Sequence, residues 1–497
     1  MYISTRGNYP PVPASAAIKL GMVPSGGLFV PEGVPTIPLE GLQEIVNSSY
    51  LELAEIILGL YLNDFVPGEI SHLVEQAYQE AGYGSKEVAP LYRLNSQLHI
   101  LELWHGPTAA FKDVALQLLP HLLVKAIEKT RTEKETVILV ATSGDTGKAA
   151  LEGFKNVAGT KIIVFYPQGG VSPVQELQMT TTDGNNTYVI AVKGNFDDCQ
   201  TEVKKIFGDE QYKKILGESG YELSSANSIN WGRLLPQIVY YFHAYLALAR
   251  ERKISLGEVI NFVVPTGNFG NILAGWYAKA MGLPVGKLIC ASNENNVLTD
   301  FFNSGIYDRR RRFHTTISPS MDILISSNLE RFLFEMNGRV GAEVAQWMDE
   351  LQLKGVFKID KKTKTGITNN LWAGFATEEA TLAAIKTVFE ETGYSLDPHT
   401  AVGMKVYWDY QKETKDTNKA VLLATASPFK FASSVLKGIE GVRAAEDEFA
   451  ALEDLSQKTG LPIHQGLVGL REKRIYHREV AAKEELPEII KKILKLS

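Results

Sequence analysis

Apolar residues follow two rhythms along this chain. Short, nearly continuous apolar runs, bounded by polar or glycine-bearing turns, recur at 98–103, 137–141, 161–166, 187–192, 259–264, 287–291 and 420–424. Between them apolar positions return every three or four residues, as at Val114, Leu118 and Leu122 after the first run. The first rhythm predicts strands and the second predicts helices, and their alternation predicts an α/β protein built on parallel sheets. Residues 1–95 read differently. After an extended start, Pro10, Pro11, Pro13, Pro31, Pro35 and Pro38 mark loops and the rest is mainly helical. The expected division is a helical N-terminal region over 1–95, a larger domain joining 96–119 to 246–497, and a smaller domain over 120–245. The final EELPEIIKKILKLS reads as an amphipathic helix packed on its own chain.

The run at 98–103 leads into WHGPTAAFKDVALQ, which sets Lys112 near a helix start. An ammonium close to the positive end of a helix dipole and beside Phe111 is disfavoured, so this amine deprotonates more readily and becomes able to attack a carbonyl. The competing reading is a lysine snorkelling from a helix face. A second motif tips the balance. In VVPTGNFGNILAG an apolar run ends at Pro265 and a glycine turn leads straight into a helical pattern. Gly267 and Gly270 permit the tight turn, and the amides of Gly267, Asn268, Phe269, Gly270 and Asn271 can then point at one phosphate. Pyridoxal 5'-phosphate requires both features, an amine for its aldehyde and a cradle for its phosphate.

Composition narrows the partners. The chain has 497 residues, too many for one core, and 45% are hydrophobic. Its formal net charge of -6 gives no reason to expect a nucleic-acid partner. The two cysteines, Cys199 and Cys290, point to a reducing compartment and to core packing rather than a disulfide. Nine scattered histidines lack metal-ligand spacing, so no metal is expected. No apolar run reaches the roughly 18 residues of a membrane span. MYISTRGNYPP lacks the basic and apolar parts of a signal peptide, and a cytoplasmic location is expected.

TSGDTGKA is superficially like a nucleotide-binding loop, but Thr142 stands where a glycine is needed and Ala149 where a magnesium-binding hydroxyl is needed. An ATPase is thereby excluded. Ser143, Thr146 and the loop's amides remain candidates for gripping an anionic substrate group, and Asp145 is a further candidate substrate residue. Asn230 and Arg233, in NSINWGRLLPQ, are further candidates, Arg233 through a bidentate grip on phosphate. Their plainer reading is a helix-capping asparagine and a surface arginine. The run Arg309 to Arg312 predicts a solvated or partner-facing patch ahead of a clamp on a substrate phosphate.

Taken together, HGPTAAFKD around Lys112, ATSGDTG at 141–147, PTGNFGN at 265–271 and TASPFKF at 425–431 resemble threonine synthase of the longer form found in many bacteria and fungi. STRG at 4–7, GGLFVP at 26–31 and SPSMDI at 318–323 extend the resemblance from the first residues to about residue 440. It implies two parallel-sheet domains of the tryptophan-synthase-β type with pyridoxal phosphate between them. It also implies roles: Lys112 bonds the cofactor and later shuttles protons, Gly267 to Asn271 hold its phosphate, and the Thr425 hydroxyl faces its pyridine nitrogen. Many members of the wider fold group carry an asparagine where this chain has Asp145. The longer threonine synthases share the aspartate, and the asparagine's role does not transfer. The implied reaction turns O-phosphohomoserine and water into threonine and phosphate. One rival is a phospho-lyase or dehydratase on the same scaffold that releases 2-oxobutyrate. The more distant rival is a non-catalytic protein that binds the cofactor.

Overall fold

The computed structural model describes residues 1–83, 87–131, 133–441 and 447–496. The apolar runs become two sheets. In the larger, six strands lie in the order Leu371–Phe375, Val285–Ser292, Ile260–Pro265, Ala420–Ala424, Leu98–Glu102 and Leu91–Arg93. Neighbours are parallel except for Leu91–Arg93, which is antiparallel to Leu98–Glu102. Every residue of Ile260–Pro265 and Ala420–Ala424 is buried. Strands covered by helices on both faces have no solvent side to mark with polar residues, so they read as unbroken apolar runs. In the smaller sheet five parallel strands lie in the order Glu479–Ala482, Thr187–Lys193, Thr160–Pro167, Glu135–Ala141 and Tyr221–Ser225.

The N-terminal region is mainly helical, with Ala14–Leu20, Leu39–Glu44, Tyr50–Tyr61 and Pro67–Ala77. Tyr50–Tyr61 starts at a capping box in which the Ser49 hydroxyl accepts from the Glu52 amide and the Glu52 carboxylate accepts from the Ser49 amide. Its Leu53, Ala54, Ile57, Leu58 and Tyr61 recur at helical spacing and are buried. Two short antiparallel strands, Tyr2–Ser4 and Phe29–Pro31, form the extended start. Glu330 ties that start to the larger domain, accepting from Thr5 at 2.6 Å and from Arg6 twice at 2.9 Å.

One expected boundary is corrected. Residues from 246 onward do not all belong with the larger sheet, because Glu479–Ala482 pairs with Thr187–Lys193 at the edge of the smaller one. The amphipathic helix that follows, Leu486–Ile493, lays Leu486 and Ile490 into the core of that same sheet. The Tyr212 hydroxyl fastens it by donating to the Pro487 carbonyl at 2.8 Å. The physical reason is the open edge of Thr187–Lys193, whose backbone groups need a partner, beside an apolar layer that needs a cover.

Candidate active site

Three neighbouring strands of the larger sheet end side by side. Leu98–Glu102 leads through a buried loop to Lys112, Ala420–Ala424 ends against Thr425, and Ile260–Pro265 ends at the Gly267 turn. The carboxyl ends of parallel strands are where open α/β sheets place ligands, because loops there carry helix N-termini toward a common crevice. Backbone bonds fix the first two ends together: the Phe111 amide donates to the Thr425 carbonyl at 2.8 Å, and the Leu103 amide to the Ala424 carbonyl at 3.0 Å. Lys112 is the first residue of the helix Lys112–Leu116, as its position after the apolar run predicts.

The turn after Pro265 has the shape of a cradle. Phe269 adopts a left-handed backbone, φ 63°, and caps the helix Gly270–Ala280. The carbonyls of Gly267 and Asn268 turn away, the first accepting from Ser326 Oγ at 2.9 Å and the second from the Asn328 amide at 3.1 Å. The amides of the first helical turn have no acceptor within the helix and stand available to an anion. A Cβ at Gly267 would lie 2.6 Å from the Ser320 carbonyl oxygen, so only glycine fits there. Asn271 Oδ1 accepts from the Tyr240 and Tyr241 hydroxyls, at 2.6 and 2.9 Å, while its buried Nδ2 has no partner. An unpartnered buried donor is costly and marks a place for an oxygen-rich ligand. Together with a buried lysine, these features fit pyridoxal phosphate.

Electrostatics make Lys112 a usable amine. Burial is the largest influence and lowers its ammonium to about 8, with Arg233 and Lys430 adding to the effect and Asp145 opposing it. Nζ donates to Ser320 Oγ at 3.1 Å and lies 3.4 Å from Asp145 Oδ2. Burial alone would raise the Asp145 carboxyl, but the Lys430 and Lys112 ammoniums reverse this and hold it well below the usual carboxylate range.

Of the residues singled out from sequence, Lys112, Ser143, Thr146, Arg233, Gly267 to Asn271 and Thr425 all line one cleft. Asp145 lies beside it, bonded to Lys112 and Ser320. Arg233 is buried, donating to the Ala226 carbonyl at 2.8 Å and reaching Thr146 Oγ1 at 3.5 Å, and burial lowers its guanidinium to about 10. It is not a surface arginine. Asn230 is not brought to the cleft. Its Oδ1 caps the helix Trp231–Leu234 through the Gly232 amide, and its Nδ2 donates to the Ile18 and Ser225 carbonyls, which leaves nothing for a substrate. None of Arg309 to Arg312 lines the cleft. Arg310 pairs with Asp308 at 2.8 Å and Arg311 with Asp300 at 2.8 Å.

Among the polar residues that sequence reasoning missed are Ser320 and His399, which line the cleft, and Gln175 and Lys430, which meet Asp145 beside it. Ser320 and Lys430 sat inside motifs already noted, SPSMDI and TASPFKF. His399 Nε2 accepts from the Ser320 amide at 3.2 Å, so Nδ1 carries the proton toward Asp397 at 2.8 Å. A roomier cleft of about 520 Å³ beside Tyr50, Tyr78 and His243 holds none of the singled-out residues. Among the described residues, no group of three or more His, Cys, Asp or Glu is placed to hold a metal ion.

Comparison with known proteins places these features in a family. Residues 1–78 match the model for "Threonine synthase N terminus", 83–356 that for "Pyridoxal-phosphate dependent enzyme", and 400–461 that for "Threonine synthase, C-terminal". Human "Threonine synthase-like 1" is 40% identical over 91% of this chain, which spans 62% of that protein's length. The threonine synthase of Pseudomonas aeruginosa is 41% identical over 92% of this chain and 94% of its own. The crystal structure of pyridoxal-phosphate-bound threonine synthase from Brucella melitensis superposes with a TM-score of 0.86 at 38% identity, covering 99% of this chain and 98% of that one. The convergence of Lys112, Thr425 and the Gly267–Asn271 cradle on adjacent strand ends thus has its counterpart along the whole chain, which belongs to the threonine synthase family.

Proposed function

We propose that this protein is a pyridoxal-phosphate-dependent threonine synthase that converts O-phosphohomoserine and water into L-threonine and inorganic phosphate. The observation that carries the reading is the meeting of a buried amine lowered to about 8 with a glycine cradle holding an unpartnered donor, at the ends of adjacent strands. When bound, the cofactor supplies an electron sink for the bonds broken next to the substrate's amine-bearing carbon. The cradle from Gly267 to Asn271 would hold its phosphate, Lys112 its aldehyde carbon, and Thr425 would offer a hydroxyl to the ring nitrogen. A hydroxyl there favours a protonated ring less strongly than a carboxylate does, which restrains charge build-up in the ring.

The chain's own groups then divide the work. Lys112 Nζ is placed to take up the protons that leave the substrate's α- and β-carbons and to return protons at its γ- and α-carbons, while water supplies the hydroxyl at the β-carbon. The amides of Ser143, Asp145 and Thr146, at the opening of the helix Asp145–Phe154, together with the hydroxyls of Ser143 and Thr146, suit an anionic end of the substrate. Arg233 keeps a permanent positive charge beside Thr146 and suits the other anionic end. Closure of the cleft would exclude water until its turn to add. Free Cys199 and Cys290, both buried, support a cytoplasmic setting, and no described helix is long and apolar enough to cross a membrane.

The test is product analysis on purified protein given pyridoxal phosphate and O-phosphohomoserine. Threonine equal to phosphate, mole for mole, is the expected result. Phosphate with 2-oxobutyrate in place of threonine would make the protein a lyase, and no phosphate would overturn the substrate.

A further inference from the structure

Lys430 is a cation for which the reaction above has no task. Its side chain is fully buried in a short turn, Pro428–Phe431, where Nζ donates to the Thr108 carbonyl at 2.9 Å and lies 2.8 Å from Asp145 Oδ1. Asp145 is shared among several donors. Its Oδ1 also accepts from Gln175 Nε2 at 3.0 Å, while Oδ2 accepts from Ser320 Oγ at 2.9 Å and stands 3.4 Å from Lys112 Nζ. The carboxylate therefore holds Lys430 closely and Lys112 loosely.

We propose that Lys430 is a positioning residue for Lys112: by closing an ion pair with Asp145 it keeps that carboxylate from serving as a full counter-ion to Lys112 and so makes the Lys112 amine easier to deprotonate. This rests on the reading of Lys112 as the working amine. The argument is one of charge balance. A buried aspartate with only one lysine nearby favours the ammonium–carboxylate state, because either charge left alone would be uncompensated in a poorly polarisable interior. Here the Asp145–Lys430 pair is already neutral. A second ammonium beside it gains only the difference between one attraction and one repulsion, and still loses its hydration.

The remaining charged groups around Lys112 do not restore a counter-ion. Arg233, from the helix Trp231–Leu234, has the same sign. Asp113 is turned onto the Thr108 amide and hydroxyl at 2.8 and 2.7 Å. Asp397 is engaged by His399 and Thr400, and Asp322 by Asn293, Asn295 and Thr316. His399 accepts from the Ser320 amide at Nε2 and faces Asp397 at Nδ1, so it brings no negative charge to Lys112. A cationic neighbour that lowers a lysine's proton affinity is an established way to activate an amine, and here it acts through the carboxylate both cations face.

The test reads the amine without turnover. The full chain, stripped of cofactor, is treated with formaldehyde and cyanoborohydride across a pH series, and dimethylation at Lys112 is quantified by peptide mass spectrometry. Wild-type labelling should rise with a midpoint near about 8. Lys430→Met should move the midpoint up by about one unit or more, roughly tenfold less neutral amine near neutrality, and Lys430→Arg should not. Asp145→Asn, which leaves Lys430 unbalanced, should move it down, and the double variant Asp145→Asn with Lys430→Met should return it toward wild type. An unchanged profile in Lys430→Met, or a double variant that keeps the full upward shift, overturns the proposal. Should Lys430→Met fail to fold, the pair of variants carrying Asp145→Asn decides, since equal midpoints with and without Lys430 overturn it as well. Borohydride reduction of the cofactor-loaded protein separates this from the functional reading. Cofactor fixed anywhere but Lys112 would unseat that reading, while the labelling profile would still report whether Lys430 governs the amine.

Discussion

The larger sheet brings three groups to the cleft on adjacent strand ends, Lys112, Thr425 and the Gly267–Asn271 turn, whereas the smaller sheet brings one loop, 142–146, at the mouth of a helix. The first set is locked by main-chain bonds such as Phe111 amide to Thr425 carbonyl, so its internal geometry cannot change without breaking the sheet. The second reaches the first through side chains, with Asp145 bonded to Lys430, Ser320 and Lys112. On the proposed function, the contrast gives cofactor retention to the backbone of one sheet and substrate grip to contacts between two. Side-chain contacts across a cleft can part and re-form as it opens and closes, while a shared ladder cannot.

Substitutions on either side should separate these roles. The largest effect is expected from Lys112→Ala, which should lower turnover by roughly 10³-fold or more and abolish the visible absorbance that a lysine-bound cofactor gives. A variant that kept both would break the assignment of the larger sheet. Next, Gly267→Ala pushes a methyl to within 2.6 Å of the Ser320 carbonyl oxygen. Overpacking of this kind costs about 1–3 kcal/mol and should weaken cofactor binding in an absorbance titration, while kcat at saturating cofactor changes little. Gly144→Ala strikes the other side. Gly144 has φ 126°, and a Cβ there would meet the Gln175 amide at 2.5 Å. Strain of about 1–3 kcal/mol at that loop should raise KM for substrate severalfold and leave the cofactor titration unmoved. If Gly144→Ala loosened the cofactor as much as Gly267→Ala, the division of labour would be wrong. Smallest of all, Arg310→Ala removes an exposed partner of Asp308 that does not line the cleft and should leave KM unchanged. A clear rise in KM would bring the arginine run back as a phosphate clamp.

Lys112 and the cradle were legible because each sits where an apolar run gives way to a helix, a transition written in consecutive residues. The central strands were legible for the same reason, since burial on both faces leaves an unbroken apolar signature. Leu371–Phe375 and Glu479–Ala482 were not foreseen. Both are edge strands, the second with only one of its four residues buried, and an edge carries little periodic signal. Asn230 could be read as a cap or as a substrate group, and local pattern does not separate them; the carbonyl of Ile18, far away in sequence, does. Lys430 hid in the same way. Flanked by Phe429 and Phe431 it offered one hint, a lysine in an apolar setting, but its partner Asp145 lies nearly three hundred residues earlier and only the fold joins them.

The edge strand Glu479–Ala482 also sets an order of events during synthesis. The four other strands of the smaller sheet are all made by residue 225, yet the flank of Thr187–Lys193 stays open until residues near 480 have left the ribosome. Through that interval the nascent chain presents an unpaired strand beside an uncovered apolar layer, the form of surface that seeks wrong partners. Loss of Glu479–Ala482 and the helix behind it would make that interval permanent, so such truncated chains should collect in inclusion bodies even though no residue of the cleft has been touched.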